Sequence, residues 1–238
     1  MSEAFQAFNT NKDWQKRGFH MRTPPLILVG YDSSGDGDDR DALVMNSREE
    51  HQRGEPHDPD FAVLTKYRLL MFHQMETHLE FPDKLAMLLN LHRQLNAWQA
   101  VGRCSQHIFC VETNGVGWSM ASSLRSKTGL QVAGYTTVGN LSEDRYREKK
   151  LSMPRLTALD YMRVLMETHC LKVAPGAPGA AAFANEVSSF VWAGKGRPEA
   201  IQGQRDDLVM AACGTCWIGG KVIPPLLKAK SSQKVQVH

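Results

Sequence analysis

The 238-residue sequence contains no apolar run close to the roughly 18–20 residues that a membrane-spanning helix requires. Its first twenty residues lack the apolar core of a signal peptide. The five cysteines are an odd number without the spacing of a disulfide scaffold, which predicts a reducing compartment. Lysine and arginine (28) barely outnumber the acids (25), so net charge gives little indication of a polyanionic partner. We therefore expect a protein that is neither secreted nor embedded in a membrane.

The chain is long enough, and at 42% hydrophobic residues apolar enough, to bury a core of its own. Residues 1–22 are polar and are predicted to be an arm or linker. Residues 23–222 are predicted to form the folded domain, and residues 223–238 a flexible basic tail.

Hydrophobic periodicity predicts how the elements follow one another. The first half of the chain is predicted to hold a hairpin at 26–46, a charged turn region at 47–60, a strand from 61 to 70 that can run on into a helix, and a long helix from Pro82. The second half is predicted to hold strands at 105–112, 131–135 and 189–193 and helices at 115–127, 157–168 and 206–218. This order predicts a mixed α/β sheet with helices on both faces.

The sequence PLILVGYDSSGDGDDRDALVM, residues 25–45, concentrates five aspartates between two apolar runs. A calcium loop is one interpretation, because Asp32-x-Ser34-x-Asp36-Gly37 matches the first half of an EF-hand loop. However, Leu43 stands where that loop needs a glutamate. A solvated hairpin turn is another interpretation, and it suits Asp36, Asp39 and Asp41.

The third interpretation is a divalent-cation site, because Asp32 closes an apolar strand at a point where no turn residue is required. Such a site needs more carboxylates, and the chain supplies them. Glu112 ends the apolar strand FCVE, and Asp206-Asp207 opens a predicted helix, where capping would explain one of the two acids. If the strands that end in Asp32 and Glu112 are parallel neighbours, their ends meet at one edge of the sheet.

Three sequence blocks, GYDSSGDGDDRDALVM, VETNGVG and FVWAGKGRPEAIQGQRDDLVMA, resemble the nuclease domain of tailed-phage large terminase subunits. The resemblance covers roughly residues 24–220. It implies an RNase H-like fold, in which three antiparallel strands are followed by parallel strands in one mixed sheet with helices on both faces.

The resemblance also implies an activity, namely metal-dependent cleavage of double-stranded concatemer DNA during viral genome packaging. Two Mg²⁺ or Mn²⁺ ions would act together in phosphodiester hydrolysis. By resemblance, Asp32 bridges the metals, Glu112 binds one ion, and Asp207 with Asp206 binds the other. An accessory ligand comes from the turn, as either Asp38 or Asp39.

Terminase large subunits carry an ATPase domain before the nuclease, and this sequence lacks its phosphate-binding motif. Gly219-Gly220-Lys221 comes nearest, but Val222 follows where Ser or Thr should stand. Either this is an excised nuclease domain or the ATPase lies on a separate polypeptide, and the polar, linker-like residues 1–22 favour excision. We expect the protein to act in the cytoplasm of the host cell. Its partners, by resemblance, are DNA, the ATPase domain, the small terminase subunit and the portal or procapsid. Two alternatives remain open: a Holliday-junction-resolvase-type or other RNase H-like nuclease, and a non-catalytic module that docks DNA or the procapsid.

A basic segment, residues 140–155, lies between a predicted strand and a predicted helix. It is either a solvated loop or a DNA-backbone contact through Arg145, Arg147, Lys149, Lys150 and Arg155.

Other residues suit the core. Cys213 and Cys216 are spaced like zinc ligands, but Cys104 and Cys110 lie too far apart to complete such a site. We interpret the Cys213–Cys216 pair as small buried helix residues, and Trp118 and Trp192 as core residues.

Overall fold

The computed structural model describes residues 18–21, 23–33, 40–55, 58–77, 79–127, 130–138, 151–193, 197–200 and 205–223. The β-strands are β1 (His20–Met21), β2 (Leu26–Asp32), β3 (Ala42–Arg53), β4 (Ala62–Gln74), β5 (Gln106–Glu112), β6 (Val132–Val138), β7 (Leu151–Pro154), β8 (Leu171–Val173), β9 (Phe190–Ala193) and β10 (Arg197–Ala200). The α-helices are α1 (Phe81–Ala100), α2 (Gly117–Arg125), α3 (Arg155–Glu167), α4 (Ala180–Ser189) and α5 (Asp207–Trp217), and α5 continues as a π-helical segment, Ile218–Val222.

Eight of the strands form one mixed sheet. Seven follow the order β7-β6-β5-β2-β3-β4-β8, and β1 pairs with β3. β2, β3 and β4 are antiparallel neighbours, whereas β5, β6 and β7 extend the sheet in parallel from β2. β2 and β5 are apolar along both faces because they lie at the centre of a sheet that is covered on both sides. The predicted fold class is confirmed.

Helices cover both faces of this sheet. On one face α5 packs against β2, β3, β4 and β5. Gly30 permits this approach, because a β-carbon there would lie 2.5 Å from the carbonyl oxygen of Ala211 in α5. On the other face, His92 of α1 is hydrogen-bonded to His107 of β5 at 2.8 Å. Since side chains alternate along a strand, Asp32 points to the same face as Gly30, towards α5.

The charged residues 47–53 belong to a strand, so the prediction of a turn there is wrong. They form the second half of β3 and pair with β4 over their whole length. Their side chains are buried in pairs, Arg48 with Glu50 at 2.6 Å and His51 with Glu49 at 3.1 Å. Charged composition predicts exposure, but charged side chains are buried where each is paired and hydrogen-bonded.

Four further strands differ from the predicted elements. β4 stays extended to Gln74 and does not run on into a helix, because β3 pairs with it throughout. β7 and β8, of 4 and 3 residues, are too short for a period of two to reveal them in the sequence. β1 pairs with β3, so the sheet begins inside the segment predicted as an arm.

Among the described residues, no helix combines the length and the apolar character needed to cross a membrane.

Candidate metal centre

Asp32 and Glu112 lie side by side at the carboxyl ends of the two central strands. β2 and β5 pair in parallel with Tyr31 opposite Val111, so the acids that follow these residues are adjacent across the ladder. Glu112 is buried, with only 8% of its surface exposed. The fold thus brings together the two strand-end acids.

The start of α5 adds Asp206 and Asp207 to this pair. Burial raises the pKa of Asp32 well above its ordinary value. The negative charge of Glu112, a hydrogen bond to Glu112, and the charges of Asp207 and Asp206 raise that pKa further. The four carboxyl groups therefore share one electrostatic environment.

The N-terminus of α5 is held by an acid from another helix. Within the described part of the chain, Asp206 makes no capping hydrogen bond through its side chain. Instead Oε2 of Glu186, in α4, accepts hydrogen bonds from the backbone N–H groups of Leu208 at 2.9 Å and Val209 at 3.1 Å. Capping of the α5 N-terminus therefore does not explain why an aspartate stands at position 206.

Glu186 is a residue that the sequence did not indicate. It is 6% exposed, and its other carboxylate oxygen accepts a hydrogen bond from Nε2 of Gln74 at 2.7 Å. Burial raises the pKa of Glu186, while the N–H groups that bond it act in the opposite direction. A single acid in a helix of small residues carries no periodic signal, so only the packing of α4 against α5 reveals its role.

Asp206 also forms an ion pair with Arg155, the first residue of α3. The two side chains are partly exposed, at 24% for Asp206 and 35% for Arg155. Arg155 was predicted as a DNA contact, and in this structure its guanidinium lies against an acid of the cluster. The other four predicted DNA contacts, Arg145, Arg147, Lys149 and Lys150, lie outside the described residues.

The loop after β5 fixes Glu112. Nδ2 of Asn114 donates a hydrogen bond to Oε1 of Glu112 at 2.7 Å. α2 then begins at Gly117, where a β-carbon would lie 1.9 Å from the carbonyl oxygen of Glu112 and 2.6 Å from Oγ of Ser33. Only glycine fits this contact. The next residue, Trp118, has 52% of its surface exposed, so the prediction of Trp118 as a core residue is wrong.

Asp41, at the end of the predicted turn, lies apart from the acidic cluster. Asp41 is buried on the opposite face, where it accepts a hydrogen bond from the Tyr31 hydroxyl and pairs with Nζ of Lys84 at 3.1 Å. It stabilises the hairpin against α1 and is neither a solvated turn residue nor part of the acidic cluster. Asp36, Asp38 and Asp39 lie outside the described residues.

The described side chains do not form a finished coordination shell. Among them, no group of three or more His, Cys, Asp or Glu residues is arranged to hold a metal ion. Asp32 is hydrogen-bonded to Glu112, and Asp206 is paired with Arg155. Cys213 and Cys216 are fully buried within α5, which confirms their interpretation as core residues.

Comparisons with known proteins agree on the fold. No protein-family model matches the sequence, and no curated protein sequence matches it either. The human cytomegalovirus terminase nuclease domain, Mn-soaked and inhibitor-bound, is 10% identical with a TM-score of 0.53, over 93% of this chain and 95% of that one. A second structure of that cytomegalovirus domain is 9% identical with a TM-score of 0.50, over 93% and 96%.

The large terminase nuclease of the thermophilic phage G20c, with bound cobalt, is 16% identical with a TM-score of 0.46, over 84% of this chain and 86% of that one. The two cytomegalovirus structures show that the chain has the fold of a terminase nuclease domain.

Proposed function

We propose that this chain, which has the fold of a terminase nuclease domain, is a divalent-metal-dependent endonuclease that cuts double-stranded viral concatemer DNA during genome packaging. One observation carries the proposal: the ends of β2 and β5 and the start of α5 bring four carboxyl groups into one environment. These four groups are Asp32, Glu112, Asp206 and Asp207.

The cluster suits divalent cations. Carboxylate oxygens are the ligands that Mg²⁺ and Mn²⁺ prefer, and the raised pKa of Asp32, caused by burial and by Glu112 beside it, marks repulsion that a cation would relieve. Oγ of Ser33, next to Asp32, is buried and has no hydrogen-bond partner within the described part of the chain, which leaves one more oxygen for such a site. The cytomegalovirus domain of the same fold was soaked with Mn.

Each acid has a proposed role. Asp32 would hold both ions, Glu112 one of them, and Asp207 with Asp206 the other, with Asp38 or Asp39 as accessory ligand. When bound, the ions would supply a water of lowered pKa and charge relief on the leaving oxygen.

The chain's own groups orient these ligands. Asn114 fixes the rotamer of Glu112 through the hydrogen bond to Oε1, and Arg155 balances the charge of Asp206. The expected partners are duplex DNA, the ATPase domain, the small terminase subunit and the portal or procapsid.

Digestion of supercoiled plasmid with Mg²⁺, Mn²⁺, Ca²⁺ and EDTA in parallel tests the activity. We expect nicking and linearisation with Mn²⁺ or Mg²⁺ and none with EDTA. A parallel measurement of thermal unfolding should show that millimolar Mn²⁺ stabilises the wild type by mass action and Asp207→Ala less.

The other outcomes are also informative. Preferential cutting of four-way junctions over linear duplex would indicate a resolvase-type nuclease instead. DNA binding without any metal-dependent cleavage would indicate a docking module.

A further inference from the structure

Glu186, the acid that holds the N-terminus of α5, is bonded to the helix turn that carries Asp207. Glu186 is buried, and both of its carboxylate oxygens accept hydrogen bonds: Oε2 from two backbone N–H groups of α5, and Oε1 from Gln74. One of the α5 donors, Leu208, directly follows Asp207 in the chain.

The helix that carries Glu186 gains nothing from it. Glu186 lies near the C-terminal end of α4 (Ala180–Ser189), where the helix dipole disfavours a negative charge. A buried carboxylate also has to recover the hydration that it loses. Hydrogen bonds from α5 and β4 to Glu186 offset both costs. Glu186 therefore stabilises the contact of α4 with those two elements rather than α4 itself.

Gln74 connects these bonds to the rest of the site. It is the last residue of β4 and lies opposite Ala42 of β3, which in turn lies opposite Asp32 of β2. Strand pairing therefore connects Asp32 through Ala42 to Gln74. Hydrogen bonds then connect Gln74 through Glu186 to the backbone of the α5 turn that carries Asp207.

We propose that Glu186 is a positioning residue: together with Gln74 it fixes the first turn of α5 to the end of the sheet and so sets where Asp207 stands relative to Asp32 and Glu112. This inference rests on the proposed metal-dependent function. A carboxylate suits the task because one of its oxygens can accept both N–H groups while the other receives the Gln74 amide.

The bonding pattern allows a sharp set of variants. Glu186→Ala removes all three hydrogen bonds. Gln74→Glu places a second carboxylate against Glu186, where the two repel each other. The double variant Gln74→Glu/Glu186→Gln exchanges donor and acceptor, since the new amide nitrogen can donate to residue 74 while its oxygen still accepts from α5.

A matched control separates positioning from stability. Leu95→Ala creates a cavity at a fully buried position of α1, on the opposite face of the sheet. It should lower the melting temperature without contacting α4, α5 or the acids. All variants are compared at a temperature at which each remains folded.

Mn²⁺ affinity and amide hydrogen exchange together test whether Glu186 positions the first turn of α5. Mn²⁺ binding, followed by titration calorimetry, should weaken about 10- to 100-fold in Glu186→Ala, the range usual for residues that orient metal ligands. It should weaken similarly in Gln74→Glu, recover to within about threefold of wild type in the double variant, and stay unchanged in Leu95→Ala. Amide hydrogen exchange without metal should show faster exchange at Leu208 and Val209 in Glu186→Ala and normal exchange in the double variant.

Wild-type Mn²⁺ affinity and wild-type exchange at Leu208 in Glu186→Ala would overturn the proposal. So would affinity losses that merely follow the melting temperature and are shared by Leu95→Ala. If the wild type itself bound no metal and cut no DNA, the proposed function would fail. The exchange data would still show whether Glu186 fixes the turn.

Discussion

The Arg155 guanidinium donates a hydrogen bond to the Asp206 carboxylate at the edge of the acidic cluster. A residue predicted to contact DNA and a residue predicted to bind metal are thus partners when neither ligand is bound. A DNA phosphate would compete for the arginine, and a cation would compete for the aspartate. Binding of either ligand should therefore release the partner needed by the other.

Arg155→Ala should strengthen Mn²⁺ binding, because it removes a positive charge that opposes the cation. It should weaken duplex binding and reduce the log–log salt slope by about one unit. The loss of stability should stay under about 1 kcal/mol, since the pair is partly exposed. Thermal unfolding with and without Mn²⁺, and duplex binding in a salt titration, measure these effects.

Arg163→Ala is the control for that variant. Arg163 lies on the same helix, with 59% of its side chain exposed, and pairs with Asp160 and Glu167. It should change neither metal nor DNA binding. Weaker Mn²⁺ binding by Arg155→Ala would contradict competition for Asp206.

Asp32→Asn should abolish plasmid cleavage and most of the Mn²⁺-induced rise in melting temperature. The side chain keeps its shape but loses the charge that would hold the cations. Without metal, the variant should be as stable as the wild type or slightly more so, because the substitution also relieves the repulsion from Glu112, Asp207 and Asp206. Full cleavage by Asp32→Asn would refute the assignment of the site.

Asp41→Asn should have the opposite effect, because it should lower stability and leave the metal-induced stabilisation unchanged. Asp41 pairs with Lys84 and Tyr31 on the other face of the sheet, and weakening these bonds should cost roughly 1.5–3 kcal/mol of folding free energy. The Mn²⁺-induced shift should remain. Chemical denaturation and metal titration of the two variants side by side would show whether stability and metal binding separate in this way.

The basic segment is tested through its salt dependence. Replacing Arg147, Lys149 and Lys150 together with Ala should weaken binding about equally for unrelated duplexes and flatten the log–log salt slope by up to roughly two to three units. Metal-induced stabilisation should persist, because these residues are not ligands. A triple variant that binds and cuts like wild type across the titration would show that the segment is only a solvated loop.

The His92–His107 pair predicts how stability depends on pH. Burial lowers the pKa of His107 to about 4, the nearby His92 adds to this shift, and burial also lowers the pKa of His92. The folded state therefore binds these protons less readily than the unfolded state. The contribution of the neutral His92–His107 pair to the free energy of unfolding is complete above about pH 6.5. It falls as the pH drops and is lost near pH 4.

His107→Gln should remove part of that dependence, on the order of 2 kcal/mol between pH 6.5 and 4. Gln retains an oxygen that can accept a hydrogen bond from Nδ1 of His92. Denaturant unfolding across this pH range measures the slope. His73→Gln, at an exposed position of β4, is the control, and an unchanged slope in His107→Gln would count against the pair.

The sequence predicted those parts of the site that lie at the ends of regular elements. Asp32 and Glu112 each end an apolar strand, and Asp206-Asp207 opens a helix, so their positions follow from periodicity and from the resemblance. Glu186 could not be found in this way, because its partners are backbone N–H groups of another helix. Asp41 was taken for a turn residue because its burial depends on Lys84, which lies on α1 after two long strands.

The charged half of β3 shows the same limit in the fold. Composition predicted a turn at residues 47–60, yet Arg48, Glu49, Glu50 and His51 are buried in mutual pairs. Hydrophobic patterning detects strands that bury apolar side chains. It does not detect a strand whose charged side chains pair with one another along the same strand.

The position of α5 after all the strands that it covers has a consequence for biosynthesis. Asp32 leaves the ribosome before Glu112, and Asp206 and Asp207 emerge after both, together with the helix that covers β2 to β5. The nascent chain therefore cannot assemble the acidic cluster while it is still being made. If the proposed nuclease activity is correct, it is withheld until the whole domain has been translated, which protects nucleic acid near the ribosome from a half-made enzyme.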